Sequence, residues 1–266
     1  MLDFSNKVVW ITGASSGIGE ALTYAFAKSN AKVIISARRE DELVRVKNNV
    51  NSENIFVLPM DVTMPETFDL KVGEAIKAFG SIDILLHNSG ISHRSWVNDT
   101  DMEVHRRVME VNYFGCIGLT KAILPYFMEK NKGHFAVISS VSGKLSIPMR
   151  SAYCASKHAI QGYFDGLRAE VWRNNIKVTV VCPGFVRTNI SFNALKANGE
   201  INNVMDNTIG NGYPVEKVAE QILKVIHAEK FEAYVGKKMG KEQISLLVNR
   251  FFPNLFKLIV RKHIPK

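Results

Sequence analysis

The stretch KVVWITGASSGIGEALTYAFAKS (residues 7–29) decides the fold. Its first part, KVVWITG, is a short β-branched and aromatic run without polar alternation, the pattern of a strand buried on both faces. Its last part sets Ile18, Leu22, Ala25 and Phe26 at helical spacing. Between them TGASSGIG (12–19) carries Gly13, Gly17 and Gly19, more glycine than a plain strand-to-helix turn needs. Such a turn lets backbone approach a pyrophosphate, whose charge is favoured by the free N–H groups and the dipole of the following helix. Gly13, Ser15, Ser16, Gly17, Ile18 and Gly19 are the expected contacts.

The same alternation continues outward. KVIISAR (32–38), NIFVLPMDV (54–62), IDILLHNSG (82–90), HFAVISS (134–140), KVTVVCPG (177–184) and FEAYVG (231–236) are strand-like runs separated by helix-period stretches. The sequence therefore predicts one α/β unit whose seven-stranded, mainly parallel sheet carries helices on both faces. The second strand closes with SARRE. An acid there would meet a ribose 2′-hydroxyl, whereas Arg38 and Arg39 suit a 2′-phosphate, which favours NADP(H) over NAD(H). Asp61 and Val62, at the third strand's exit, would line an adenine slot. Residues 185–213 turn rich in Asn and Gly, bury little on this reading, and are expected to form a lid over the strand ends.

The chain of 266 residues has 34 basic and 25 acidic side chains, a formal +9. Eight of the basic residues and a single acid, Glu242, fall in 237–266, so a basic tail rather than a basic domain sets the charge. No nucleic-acid-binding motif accompanies it. Cys116, Cys154 and Cys182 are far apart and suggest neither disulfides nor a metal site. A reducing, cytoplasmic setting is expected, and the N-terminal stretch has no signal-peptide pattern.

In SAYCASKHA (151–159), Tyr153 and Lys157 stand one helical turn apart with small residues between them. Tyrosine has an ordinary pKa of about 10, and a neighbouring cation would bring its phenolate within reach of neutral pH. Together with TGxxxGxG near the start, HNSG (87–90), Ser139–Ser140 and PGFVRT (183–188), this pattern resembles the compact type of the short-chain dehydrogenase/reductase family over about residues 5 to 236. Within it, SAYCASKHAIQGYFDGLRAE and VMEVNYFGCIGLTKAILP are similar to dehydrogenase/reductase member 7 proteins and, more distantly, to 11-beta-hydroxysteroid dehydrogenases.

The resemblance implies a doubly wound Rossmann fold and NADP(H)-linked hydride transfer to or from a carbonyl or secondary alcohol of a lipid-like substrate. It implies Tyr153 as general acid or base, Lys157 holding the nicotinamide ribose and lowering the tyrosine pKa, Ser140 orienting the substrate oxygen, and Asn112 anchoring a water behind Lys157. Asn88, Ser89, Gly90, Pro183, Gly184, Val186 and Thr188 would lie along the cofactor. It also implies a homodimer or homotetramer built on the helices after Asp101 and through Tyr153. His87 departs from the family's Asn, which puts the local sheet bonding in question and leaves a catalytic or a structural role open. A catalytically silent NADP(H) sensor or scaffold is the rival reading.

The tail, 237–266, mixes Leu, Ile, Val and Phe with basic residues, too short and too charged to span a bilayer. Pro253 would interrupt any helix there. It would pack on its own domain, lie on an anionic membrane, cap the substrate mouth or meet a partner subunit.

Overall fold

The computed structural model describes residues 2–50 and 52–262. All seven apolar runs contain strands: β1 (Val8–Thr12), β2 (Lys32–Ser36), β3 (Ile55–Val57), β4 (Ile84–His87), β5 (Gly133–Ile138), β6 (Ile176–Pro183) and β7 (Glu232–Val235). Neighbouring strands are parallel throughout, in the order β3-β2-β1-β4-β5-β6-β7. The helices are α1 (Gly17–Lys28), α2 (Glu40–Val50), α3 (Phe68–Phe79), α4 (Met102–Met109), α5 (Gly115–Glu129), α6 (Ser151–Val171), α7 (Asn207–Gly210), α8 (Val215–His227), α9 (Lys241–Phe251) and α10 (Pro253–Lys262). A π-helical turn, Glu110–Phe114, joins α4 to α5.

The strands owe their apolar content to burial on two sides. Along β1, Val9 and Ile11 pack with Leu22 and Phe26 of α1, Leu43 and Val46 of α2, and Val218 and Ile222 of α8. Val8 and Trp10 point the other way, into a cluster with Phe68 of α3, Leu119 and Ile123 of α5, and Ile160 and Phe164 of α6. Successive residues of a strand face opposite sides, so one run serves both layers and the molecule is a single doubly wound domain. Strand order reverses between β1 and β4, which opens a crevice at their C-terminal ends.

One expectation is revised. The third run yields only a three-residue edge strand. Beyond it the chain keeps two bonds to β2, from Leu58 N to Ile35 O and from Met60 N to Ala37 O, and then turns away. Residues 185–213 bury few side chains, as expected, Val186, Ser191, Ala194, Leu195 and Ile209 being buried, but their backbone is ordered. Isolated bridges join Leu195 to His93 and Ile201, and Val186 to Tyr213. Backbone pairing across loops, which no periodicity announces, supplies this order.

In the tail, α9 stops at Phe251 and Pro253 opens α10, where its missing N–H costs nothing. Residues 263–266 of the tail lie outside the described residues. Among the described residues no helix is long and apolar enough to cross a membrane.

Candidate active site

The floor of the crevice is built from two close backbone approaches. Gly13 and Gly17 both take positive φ, 66° and 59°. A Cβ on Gly13 would lie 2.8 Å from Ser89 Cα, so β1's turn touches β4's exit only because the side chain is absent. Asn88 Nδ2 donates to Thr12 O (3.1 Å) and Gly13 O (3.0 Å), while Thr12 Oγ1 accepts from Asn88 N (3.1 Å) and Ser89 N (3.2 Å). Ser16, in extended conformation at the head of α1, adds no side-chain cap. The helix's first N–H groups therefore rely on what enters the crevice or on water.

Above this floor lies a cavity of about 470 Å³, a size that accommodates small molecules. Of the residues singled out from sequence, all but Gly19 and Asn112 line it: Gly13, Ser15, Ser16, Gly17, Ile18, Arg38, Arg39, Asp61, Val62, Asn88, Ser89, Gly90, Ser140, Tyr153, Lys157, Pro183, Gly184, Val186 and Thr188. Gly19 sits behind the turn, where a Cβ would collide with the Gly13 carbonyl oxygen. Arg38 and Arg39 are exposed at the rim, and Arg39 Nη2 reaches Ser15 Oγ at 3.4 Å. Asp61 Oδ1 is occupied by its own turn, accepting from Thr63 N (2.9 Å) and Thr63 Oγ1 (2.8 Å).

At the inner end, Lys157 is fully enclosed and its Nζ donates to Ile138 O at 3.0 Å. Burial pulls its pKa down to about 8, against the pull of the Cys116 and Cys182 thiols. Tyr153, 5.8 Å from that ammonium at the ring centre, is held above its ordinary value, chiefly by burial, with the Ser140 hydroxyl and Arg150 opposing. Desolvation sets the direction of this shift, so the phenol keeps its proton at neutral pH. Ser140 Oγ accepts from Ser142 N (3.1 Å), which leaves its own proton to donate. The neighbouring Ser139 Oγ is turned into α6, donating to Lys157 O (3.3 Å) and accepting from Gln161 Nε2 (3.3 Å).

Asn112, in the π turn, is fully buried and braces the wall from outside. It accepts from Ile91 N (2.8 Å) and donates to Ile91 O (2.9 Å) and Ser156 Oγ (2.9 Å). Gly90 is pressed between Asn112 and Lys157, since a Cβ there would lie 3.3 Å from Asn112 Oδ1 and 3.5 Å from Lys157 Nζ. His87 resolves to the structural alternative. Its ring pairs with Thr120 Oγ1 at 2.8 Å and stacks on Phe135, and burial lowers its pKa to about 3. Because Thr120 Oγ1 donates to Cys116 O, it must accept from the imidazole. The sheet pairing at His87, to Val137 of β5, is intact.

A family model for short chain dehydrogenases matches residues 7–198, the glycine turn through the lysine of α6 and beyond. The chain belongs to the short-chain dehydrogenase family. It is 41% identical to a dehydrogenase/reductase SDR family protein 7-like of Drosophila melanogaster, over 98% of this chain and 81% of that protein. Against dehydrogenase/reductase SDR family member 7B of Mus musculus the identity is 38%, over 94% and 75% respectively. A solved short-chain dehydrogenase of Streptomyces avermitilis superposes with a TM-score of 0.80 at 29% identity, over 95% of this chain and 96% of that one.

One feature of this short-chain dehydrogenase was not legible in its sequence. Asp206, at the head of α7, pairs with Arg94 and, at 3.3 Å, with Arg150, three residues before Tyr153. Its other oxygen accepts from Thr208 N at 2.8 Å. Burial alone would raise this carboxyl, but the Thr208 N–H and the two guanidiniums hold it below the ordinary carboxylate range. The two arginines lie 56 and 112 positions away, beyond any local spacing signal. Arg150 also lines the cavity, so the latch ties residues 185–213 to the site wall. Asp206→Ala is expected to speed proteolytic cleavage within residues 189–205, read by limited proteolysis with mass spectrometry. In the native protein the protection is present at neutral pH and lost on acidification through the lowered Asp206 pKa. Cleavage unchanged by the substitution would mean that backbone pairing alone holds the segment.

Proposed function

We propose that the protein is an NADP(H)-dependent oxidoreductase that interconverts a carbonyl and a secondary alcohol on a hydrophobic substrate. The observation that carries this reading is the convergence of Ser140, Tyr153 and Lys157 on the cavity that also holds the glycine turn. The residues present suit a nicotinamide dinucleotide: the turn is free of Cβ atoms where a pyrophosphate would approach, and the α1 N-terminus faces it. When bound, that cofactor would supply or accept the hydride. Arg38 and Arg39, standing at the strand exit where an acid would meet a ribose 2′-hydroxyl, favour a 2′-phosphate at the rim.

The side chains divide the remaining work. Tyr153, protonated at neutral pH, donates to the substrate oxygen as negative charge develops there, and Ser140 offers its free proton to the same oxygen. Lys157 spends one N–H on Ile138 O and has two left for ribose hydroxyls. Asn112 keeps this lysine's surroundings rigid through Ile91 and Ser156. Residues 185–213 would act as the lid, offering Ile190, Leu195, Ile201 and Ile209 to an apolar substrate. Three buried free thiols suit a reducing, cytoplasmic setting. Exposed Phe114 and Trp172, at the ends of α5 and α6, suit association into a homodimer or homotetramer.

Tyr153→Phe is expected to lower turnover by roughly 10²–10⁴-fold while cofactor affinity stays within a few-fold, measured on a panel of hydrophobic ketones and aldehydes with NADPH. Full activity in that variant would end the mechanism; NADPH binding with no turnover in the native protein would favour the sensor reading. Arg38→Asp should shift the kcat/KM ratio from NADPH towards NADH, and an unmoved ratio would remove Arg38 from the 2′ site. Because Lys157 loses its proton above about pH 8, cofactor affinity should fall as pH rises through that value. Fluorescence titration across the range tests this, with Lys157→Met expected to bind weakly and without the step.

A further inference from the structure

The helix pair at the chain's end is held to the body by few contacts and turns most of its apolar residues outward. Among the described residues of α9 and α10, Phe256 alone is a buried apolar side chain, while Ile244, Leu247, Phe251, Phe252, Leu255, Leu258 and Ile259 are exposed. Their placement follows helical geometry at about 100° per residue. In α9, Ile244, Leu247 and Phe251 share one arc, and Glu242 and Asn249 occupy the opposite one. Glu242 accepts from Phe185 N (3.0 Å) and Asn249 donates to Lys144 O (3.1 Å), so that opposite arc faces the protein. In α10, Leu255, Leu258 and Ile259 share an arc, Phe256 and Val260 face inward, and Lys257 and Arg261 stand between the two.

Charge decides what can cover this face. The segment brings Lys237, Lys238, Lys241, Arg250, Lys257, Arg261 and Lys262, and its one acid, Glu242, is engaged with the Phe185 amide. Aliphatic residues flanked by long basic side chains suit an interface where the stems lie along apolar surface and the heads meet anions. We infer that α9 and α10 form a docking surface for an anionic lipid bilayer, lying in the headgroup region with the Ile244, Leu247, Phe251, Leu255, Leu258 and Ile259 arcs inserted. Through Phe185, which lines the cavity, and through Lys144, just past the turn capped by Ser140, the surface is fastened to both loops beside the site. A bilayer held there borders the cavity that would take an apolar substrate. The inference does not depend on the hydride chemistry proposed above.

The test is co-sedimentation of the full chain with phosphatidylcholine vesicles and with vesicles of phosphatidylcholine and phosphatidylserine, at low and high salt. Binding is expected to the anionic vesicles and to weaken with salt. The double variant L258D/I259D should weaken partitioning at least about tenfold, and K257E/R261E should do likewise on anionic vesicles alone. The substituted side chains are exposed, and unchanged thermal unfolding would show the fold intact. Native protein that stays in the supernatant with both vesicle types overturns the inference. So does a native oligomer, seen by sedimentation velocity, that L258D/I259D dissociates, because the face is then covered by a second copy.

Discussion

The contact of the Gly13 turn with the exit of β4 is the constraint on which the site depends. With an ordinary side chain at Gly13 the ends of β1 and β4 could not come this close, since the added Cβ would meet the Ser89 backbone. Absence of side chains makes the approach sterically possible, and Asn88 and Thr12 make it favourable by satisfying four backbone groups across the gap. Buried backbone polar groups left unpaired would each cost about 1–3 kcal/mol. The strap therefore has to form for the crevice to exist, and it fixes where α1 begins and what its N–H groups face.

The second constraint is electrostatic. Enclosing an ammonium at Lys157 is unfavourable, which is why its pKa falls to about 8. The structure accepts that cost beside Tyr153, whose phenol is itself pushed the other way. The same burial favours the neutral form of both groups, lowering the lysine and raising the tyrosine. Asn112 contributes without touching the cavity: its side-chain bonds hold Ile91 and Ser156 in place, one on each side of the lysine. The π turn that carries Asn112 directs the side chain inward between α4 and α5, a deformation often kept where position matters.

What could be read from the sequence follows from how local each cause is. Strands buried on both faces are written as uninterrupted apolar runs, so β1 to β7 and their parallel order of layers were visible. The cradle was visible because glycine, at Gly13 and Gly17, is demanded by backbone conformation within a few residues. That Gly19 also packs against the Gly13 carbonyl was not visible, because that neighbour is set by three-dimensional closure. His87 stayed ambiguous for the same reason, since only the fold brings Thr120 and Phe135 to its ring. The contacts that order 185–213 could not be read: Asp206 meets Arg94 and Arg150, and bridges form at Leu195, which leave no periodic trace.

That difference in cause separates the two halves of the crevice. On the cradle side, backbone geometry and backbone hydrogen bonds do the holding, and almost any change of residue type at Gly13, Gly19 or Asn88 would disturb them. On the side of residues 185–213, ion pairs and a few buried aliphatic residues do it. The basic, apolar helix pair belongs to the second half. It is fastened to the body through Phe185 and Lys144 rather than through the sheet, so its surface can be altered without moving the strap that makes the crevice.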